Sequence, residues 1–197
     1  MSHSNVEAFF NSVAFKWDDW ANDDMDRVRA LFSQIGIKPG AKVLDLACGT
    51  GVVTELLHEF SLAPVHGLDI AQNMIVRAKK KYQGKDYASF EVGDFMAYQG
   101  EKYDVIVIYN AYPHFLDPKG LSSRLAASLN PEGRFAIVHS LGRKQLSAHH
   151  DPLGPNISRE LLPVRDEAEF FKEEFEVLKA DEGEDFYLII GAKNANV

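Results

Sequence analysis

Asp45, Gly49 and Gly51, within the stretch "VLDLACGTG" from Val43 to Gly51, set a carboxylate and two positions without Cβ at the end of an apolar run. The glycines let a ligand approach the backbone closely, and Thr50 can hydrogen-bond at the start of a following helix. Asp69 closes the next apolar run, "PVHGLDI", about one strand–helix repeat further on, where a carboxylate accepts hydrogen bonds from both hydroxyls of a ribose. A ligand containing a nucleoside satisfies both features. A dinucleotide fits less well, because Thr54 stands where the fingerprint G-x-G-x-x-G requires its third glycine. Asp45 would repel a pyrophosphate, but it can orient an amino-acid ammonium through water or a backbone amide.

Such residues need an open α/β sheet behind them, because ligands bind there beyond the carboxyl ends of the strands. The chain supplies the alternation. The β-branched runs "KVLDLA", "PVHGLDI", "ASFEVGD", "YDVIVIYN" and "RFAIVHS" are separated by segments of helical apolar spacing, "VTELLHEF", "AQNMIVRAKKKY" and "GLSSRLAASL". "PEGRF" marks the helix stop and strand start before the fifth run, and "EFEVLKADEGEDFYLIIGAK" reads as two strands joined by the turn "DEGED". The expectation is one α/β domain over residues 1–197: a doubly wound, mostly parallel seven-stranded sheet with an antiparallel C-terminal hairpin and helices on both faces. Two helices precede it, roughly Val6 to Trp20 and Asp23 to Ile35, as an N-terminal cap spanning 6–35. From Ser140 to Val164 the chain shows no sustained period and holds three prolines and two glycines, so 140–164 is read as a functional insert after strand five.

Composition narrows the function classes. With 197 residues, 46% apolar and 25% charged, the chain can bury a substantial core. A net charge of −8 argues against nonspecific affinity for phosphate backbones, and the basic run "RAKKKY" suits a solvated helix face. The N-terminus lacks the pattern of a secretory leader, and the longest apolar runs are too short to span a bilayer, so a cytoplasmic protein without nucleic-acid or membrane partners is expected. Cys48, the single cysteine, excludes an internal disulfide and suits packing beneath the glycine turn.

"VLDLACGTG", "GLDIAQNMIVRAK" and "GDFMAY" together resemble the first three motifs of class I S-adenosylmethionine-dependent methyltransferases of the small-molecule type. The resemblance covers roughly Val6 to Ser140 and the closing strand pair. It implies S-adenosylmethionine as cofactor, S-adenosylhomocysteine as product, and a small-molecule acceptor. Asp45, Ala47, Gly49 and Gly51 would line the methionine part, Asp69 would take the ribose diol, and Ile70 and Met74 would lie against the adenine. Asp94 and Phe95 match the pair that meets the adenine edge and face, and Tyr109 and Asn110 end strand four beside the transferred methyl. Asp94 capping a helix turn and Asp69 merely ending a strand are the plainer alternatives. "FFNSVAFKWDDW" resembles the family's lid helix, with Ala14, Trp17 and Asp18 in the A-x-x-W-D positions and Phe15 beside them. An aromatic ring there attracts a sulfonium and excludes water. The alternative is an amphipathic helix packing Phe9, Val13 and Trp17 on the sheet.

Methyl transfer requires an in-line acceptor, and a base where the acceptor carries a proton. Asn110, Tyr112 and His114 follow strand four, and His139 and Ser140 end strand five. His114 and His139 are the candidate general bases. Asn-Ala-Tyr-Pro stands where amino-methyltransferases of nucleic acids and protein amides carry N-P-P-Y, and the acidic ligands of metal-dependent catechol-type enzymes are missing. In the insert, Arg143, His149, His150 and Asn156 are the candidate substrate-binding residues. The histidines either include a base or hold a soft metal, and no metal is the expectation because no pair has helical i, i+4 spacing. A non-catalytic nucleoside-binding regulator and a nucleotide-dependent oxidoreductase are the alternatives from other classes.

Overall fold

The computed structural model describes residues 4–20, 23–150 and 153–195. Its strands are β1 (Val43–Leu46), β2 (Val65–Asp69), β3 (Ala88–Val92), β4 (Tyr103–Tyr109), β5 (Leu129–His139), β6 (Phe175–Glu182) and β7 (Tyr187–Lys193). They form one seven-stranded sheet in the order β3-β2-β1-β4-β5-β7-β6. β1 pairs in parallel with β2 and β4, while β7 runs antiparallel to both β5 and β6. Strand order reverses between β1 and β4, so the turns after these two strands face each other across the crevice where such sheets bind ligands.

The helices are α1 (Ser4–Val13), α2 (Trp17–Trp20), α3 (Met25–Phe32), α4 (Thr54–Ser61), α5 (Gln72–Lys81), α6 (Pro118–Ser128), α7 (Arg143–His150) and α8 (Val164–Ala168). Alternation along the strands gives the sheet two apolar faces. Leu44, Leu46, Ile106, Ile108, Phe135 and Ile137 pack with Leu121, Leu125 and Phe171 on one side. Val43, Val105, Val107 and Val138 pack with Val28, Phe32 and Leu57 on the other. The doubly wound architecture follows from this two-sided burial. α3, with eight residues, is too short to persist alone and is held by Val28, Leu31 and Phe32 against the sheet.

Three local expectations differ from the structure. The segment read as one helix from Val6 to Trp20 is interrupted by a 3-10 turn at Ala14–Lys16, and the next helix starts at Met25, where the Asp24 carboxylate accepts from the amides of Asp26 and Arg27. β5 begins at Leu129, earlier than "PEGRF" suggests. Its pairing with β4 jumps from Tyr103↔Leu129 to Val105↔Arg134, so Asn130–Gly133 loop out, with Glu132 at φ 61°. The segment after β5 is partly regular, since α7 occupies Arg143–His150 despite its weak periodicity. Among the described residues no helix is long and apolar enough to cross a membrane.

Candidate active site

The turn after β1 is shaped by its own backbone. Ala47 (φ 56°), Gly49 (φ 55°) and Gly51 (φ 78°) adopt left-handed conformations that wind the chain tightly before α4. Asp69, at the end of β2, latches this turn: its carboxylate accepts from the Gly49 amide at 2.8 Å and from the Ala71 amide at 2.8 Å. Asp45 accepts from the Thr54 hydroxyl at 2.6 Å. Burial pushes both carboxyls up, against these hydrogen bonds: Asp45 to about 7, with the Asp69 charge adding to the shift, and Asp69 to about 6. Burial, followed by the two carboxylates, likewise raises the Cys48 thiol, which lies under the turn against Ile75, Tyr82 and Phe90.

A cavity of 860 Å³ opens above these groups. Asp45, Ala47, Gly49, Asp69, Ile70 and Met74 line one part, with Asp94 and Phe95. Asp94 also caps the 3-10 turn after β3 by accepting from the Met96 amide at 2.9 Å, so capping and lining are compatible. α1 and α2 close over the turn. The amide of Asn73, in the first turn of α5, donates to Asn11 Oδ1 at 2.8 Å, and the Thr50 hydroxyl donates to Asp18 at 2.6 Å. Trp17 lines the cavity, and its Nε1 lies 3.4 Å from where a Cβ on Gly49 would stand. A side chain at that position would enter the cradle.

Across the crevice, Tyr109 and Asn110 end β4. Burial raises the Tyr109 phenol well above its usual range. Asn110 (φ 51°) donates to the Ser140 hydroxyl at 2.9 Å and accepts from the Ser140 amide at 2.9 Å, tying the ends of β4 and β5 together. The same hydroxyl donates to Asp23 at 2.5 Å. His114 lines the cavity in the 3-10 turn after β4, with the Phe10 ring edge-on at 4.8 Å. Its Nδ1 lies 2.9 Å from the Ile157 carbonyl. A carbonyl only accepts, so Nδ1 carries a proton, and in a neutral ring the acceptor nitrogen would be Nε2.

Several sequence-predicted residues stand elsewhere. Phe15 is 63% exposed and is not part of the cavity wall; the 3-10 turn points it outward. Gly51 faces the opposite side: a Cβ there would come within 2.8 Å of the Tyr82 ring, whose hydroxyl donates to the Gly51 carbonyl at 2.7 Å. Tyr112 is fully buried, and its hydroxyl donates to Glu167 at 2.7 Å. His139 is also fully buried, edge-on to Tyr187, because strand alternation turns it away from the crevice. A base needs contact with the acceptor, and neither Tyr112 nor His139 reaches the cavity. Arg143 pairs with Glu182 at 3.3 Å, and Asn156 borders a separate recess. The side chains of His149 and His150 lie outside the described residues. Among the described residues no three His, Cys, Asp or Glu are grouped to hold a metal ion.

Sequence reasoning missed Phe10 and Asp23 as wall residues, and it missed a buried clamp behind the wall. Glu167, fully buried, accepts from Arg159 Nη1 at 2.6 Å and Nη2 at 2.9 Å, from the Tyr112 hydroxyl, and from the Leu162 amide at 2.9 Å. The Arg159 guanidinium also lies 4.6 Å from the centre of the Tyr112 ring. Nothing in the spacing of Arg159 and Glu167 marks them as a buried pair.

Residues 37–182 match the family model described as a methyltransferase domain. The chain is 28% identical over 209 aligned positions to a malonyl-[acyl-carrier protein] O-methyltransferase of Anoxybacillus flavithermus, with 94% of this chain and 79% of that protein covered. It is 34% identical over 116 positions to a sterol 24-C-methyltransferase of Gibberella zeae, covering 56% of this chain and only 30% of the fungal protein's length. Among solved structures, magnesium protoporphyrin IX methyltransferase from Synechocystis, with bound SAH, is similar with a TM-score of 0.74 and 19% identity, covering 98% of this chain and 100% of that one. That likeness is one of fold.

Proposed function

The chain belongs to the methyltransferase-domain family, and from that premise we propose that it transfers a methyl group from S-adenosylmethionine to a small-molecule acceptor, with His114 as the general base. The observation that carries this reading is one cavity holding the Asp69-latched glycine turn and His114 together, the latter with its Nδ1–H on a main-chain carbonyl.

The wall suits the cofactor. Gly49 leaves room for it beside Trp17, Asp69 and Asp94 offer carboxylates to its ribose and adenine, and Phe95 and Met74 offer apolar surface to the base. Asp45, when ionised, would attract an ammonium through the Gly49 turn or a water, and the ammonium would in turn favour its ionised form. When bound, S-adenosylmethionine supplies a sulfonium methyl, transferred as its S–CH3 bond breaks. Phe10 and Trp17 cover the reacting region and exclude water. Asn110 and Ser140 fix the floor, and His114 takes at Nε2 the proton that a hydroxyl, thiol or amine acceptor releases.

The test is calorimetric titration of freshly desalted protein with S-adenosylhomocysteine and, in parallel, with NAD. Binding of the first alone is expected; binding of neither by folded protein overturns the reading. With an acceptor found in a panel of phenols, thiols and amines, His114→Ala should lower kcat by roughly 100-fold or more while the S-adenosylhomocysteine Kd stays within about twofold. Unchanged turnover removes His114 from the mechanism.

A further inference from the structure

Residues 153–157 return to lie against α1 and leave a recess of 400 Å³, bordered on one side by Asn5, Ala8 and Phe9 and on the other by Leu153 to Ile157. Phe9 and Leu153 also line the 860 Å³ cavity, so these two side chains form a wall common to both spaces. His114 stands at the junction: it lines the large cavity, while its Nδ1 is held by the carbonyl of Ile157, which borders the recess. Phe9, Phe115, Leu141, Leu146 and Leu153 give the large cavity apolar wall, and the recess adds Ala8, Pro155 and Ile157 beside the amides of Asn5 and Asn156.

Charge is distributed to match. Among the described residues, neither space is lined by a lysine or an arginine. The carboxylates of the large cavity are engaged at the strand ends: Asp45 by Thr54, Asp69 by two amides, Asp94 by Met96 and Asp23 by Ser140. None of them borders the recess. An anionic ligand would surrender its hydration there and, among the described residues, meet no lysine or arginine in return, which is unfavourable. A neutral hydrocarbon chain gives up no ionic hydration there and gains with every methylene it buries.

Building on the methyltransferase reading of the same site, we infer that the acceptor is an uncharged molecule with an elongated apolar body, which lies along the passage between α1 and residues 153–157 and presents its nucleophile to His114. Phe9 and Leu153 then determine which acceptors fit.

The experiment uses a series of 4-alkylphenols, from ethyl to heptyl, with the corresponding ω-carboxyalkyl phenols as anionic counterparts. Each is titrated into the protein with and without saturating S-adenosylhomocysteine. Binding should tighten roughly fourfold per added methylene until the chain emerges from the recess, and the carboxylates should bind at least tenfold more weakly than neutral compounds of equal length. Leu153→Trp should flatten the dependence on chain length, with S-adenosylhomocysteine affinity and thermal unfolding reported alongside. A flat series in the native protein, carboxylates binding as tightly as the neutral compounds, or an unaltered series in a folded Leu153→Trp protein overturns the inference. If the alkylphenol series behaves as expected while S-adenosylhomocysteine does not bind, the passage stands and the methyltransferase reading falls.

Discussion

Replacing Arg159 by methionine isolates the clamp behind the active-site wall. In the native protein the Glu167 carboxylate has four donors: two from Arg159, one from Tyr112 and one from the Leu162 amide. Arg159→Met deletes the two charged donors and leaves a fully buried carboxylate with two neutral ones. Breaking one side of a buried ion pair costs about 3–5 kcal/mol, a large share of the roughly 5–15 kcal/mol that stabilises a domain. For a chain of this size that corresponds to a fall in Tm of roughly 10 °C. Urea unfolding followed by circular dichroism, together with calorimetry, reads both quantities. The triple variant Arg159→Met/Glu167→Met/Tyr112→Phe removes every charge and the orphaned hydroxyl, and should regain most of the loss because the desolvation cost disappears with the ions. S-adenosylhomocysteine affinity should change less than about twofold in both proteins, since none of the three side chains lines the cavity. A loss below about 1 kcal/mol in Arg159→Met, or a triple variant no more stable than the single one, would refute the assignment of the clamp as a coupled buried network.

Two further outcomes follow from the glycine turn and its carboxylates. Asp45 titrates at about 7 in the folded chain and near 3.9 when unfolded, so between these values the native state holds the extra proton; stability is greatest at low pH and falls as pH rises towards 7. From pH 5 to 7.5 this group alone removes roughly 2–3 kcal/mol, and Asp45→Asn should lose that portion of the pH dependence in urea unfolding; identical profiles would contradict it. Gly49→Val should weaken S-adenosylhomocysteine binding at least tenfold by filling the cradle beside Trp17. Gly51→Ala, which crowds Tyr82, should instead cost stability by about 1–3 kcal/mol with much less effect on the ligand, and equal effects in the two variants would contradict their opposite orientations.

The glycine turn and the carboxylates around it were legible because their determinants are local. A strand end, a left-handed glycine and a carboxylate one strand–helix unit later keep their meaning wherever the sheet lies, and parallel pairing of β1 with β2 brings Asp45 and Asp69 to the same edge. Capping told a similar local story at Asp94. Sequence shows that the turn needs glycine at Gly51 without showing which side a neighbour occupies; Tyr82, at the end of α5, decides that.

The acceptor half was much less legible. His114 and His139 look equivalent as residues near strand ends, yet antiparallel pairing sets His139 opposite Tyr187 in the core, while the 3-10 turn after β4 carries His114 to the cavity. Arg159 and Glu167 are ordinary charges in the sequence, and only the folding of residues 153–163 against Pro113 and Phe115 buries them as a pair. The sequence by itself determined the sheet, its switch point and the glycine turn with its two carboxylates, since periodicity and turn chemistry act over a few neighbouring residues. Tertiary structure decided which histidine faces the crevice and where the passage beside it runs, because those depend on contacts between segments far apart in the chain.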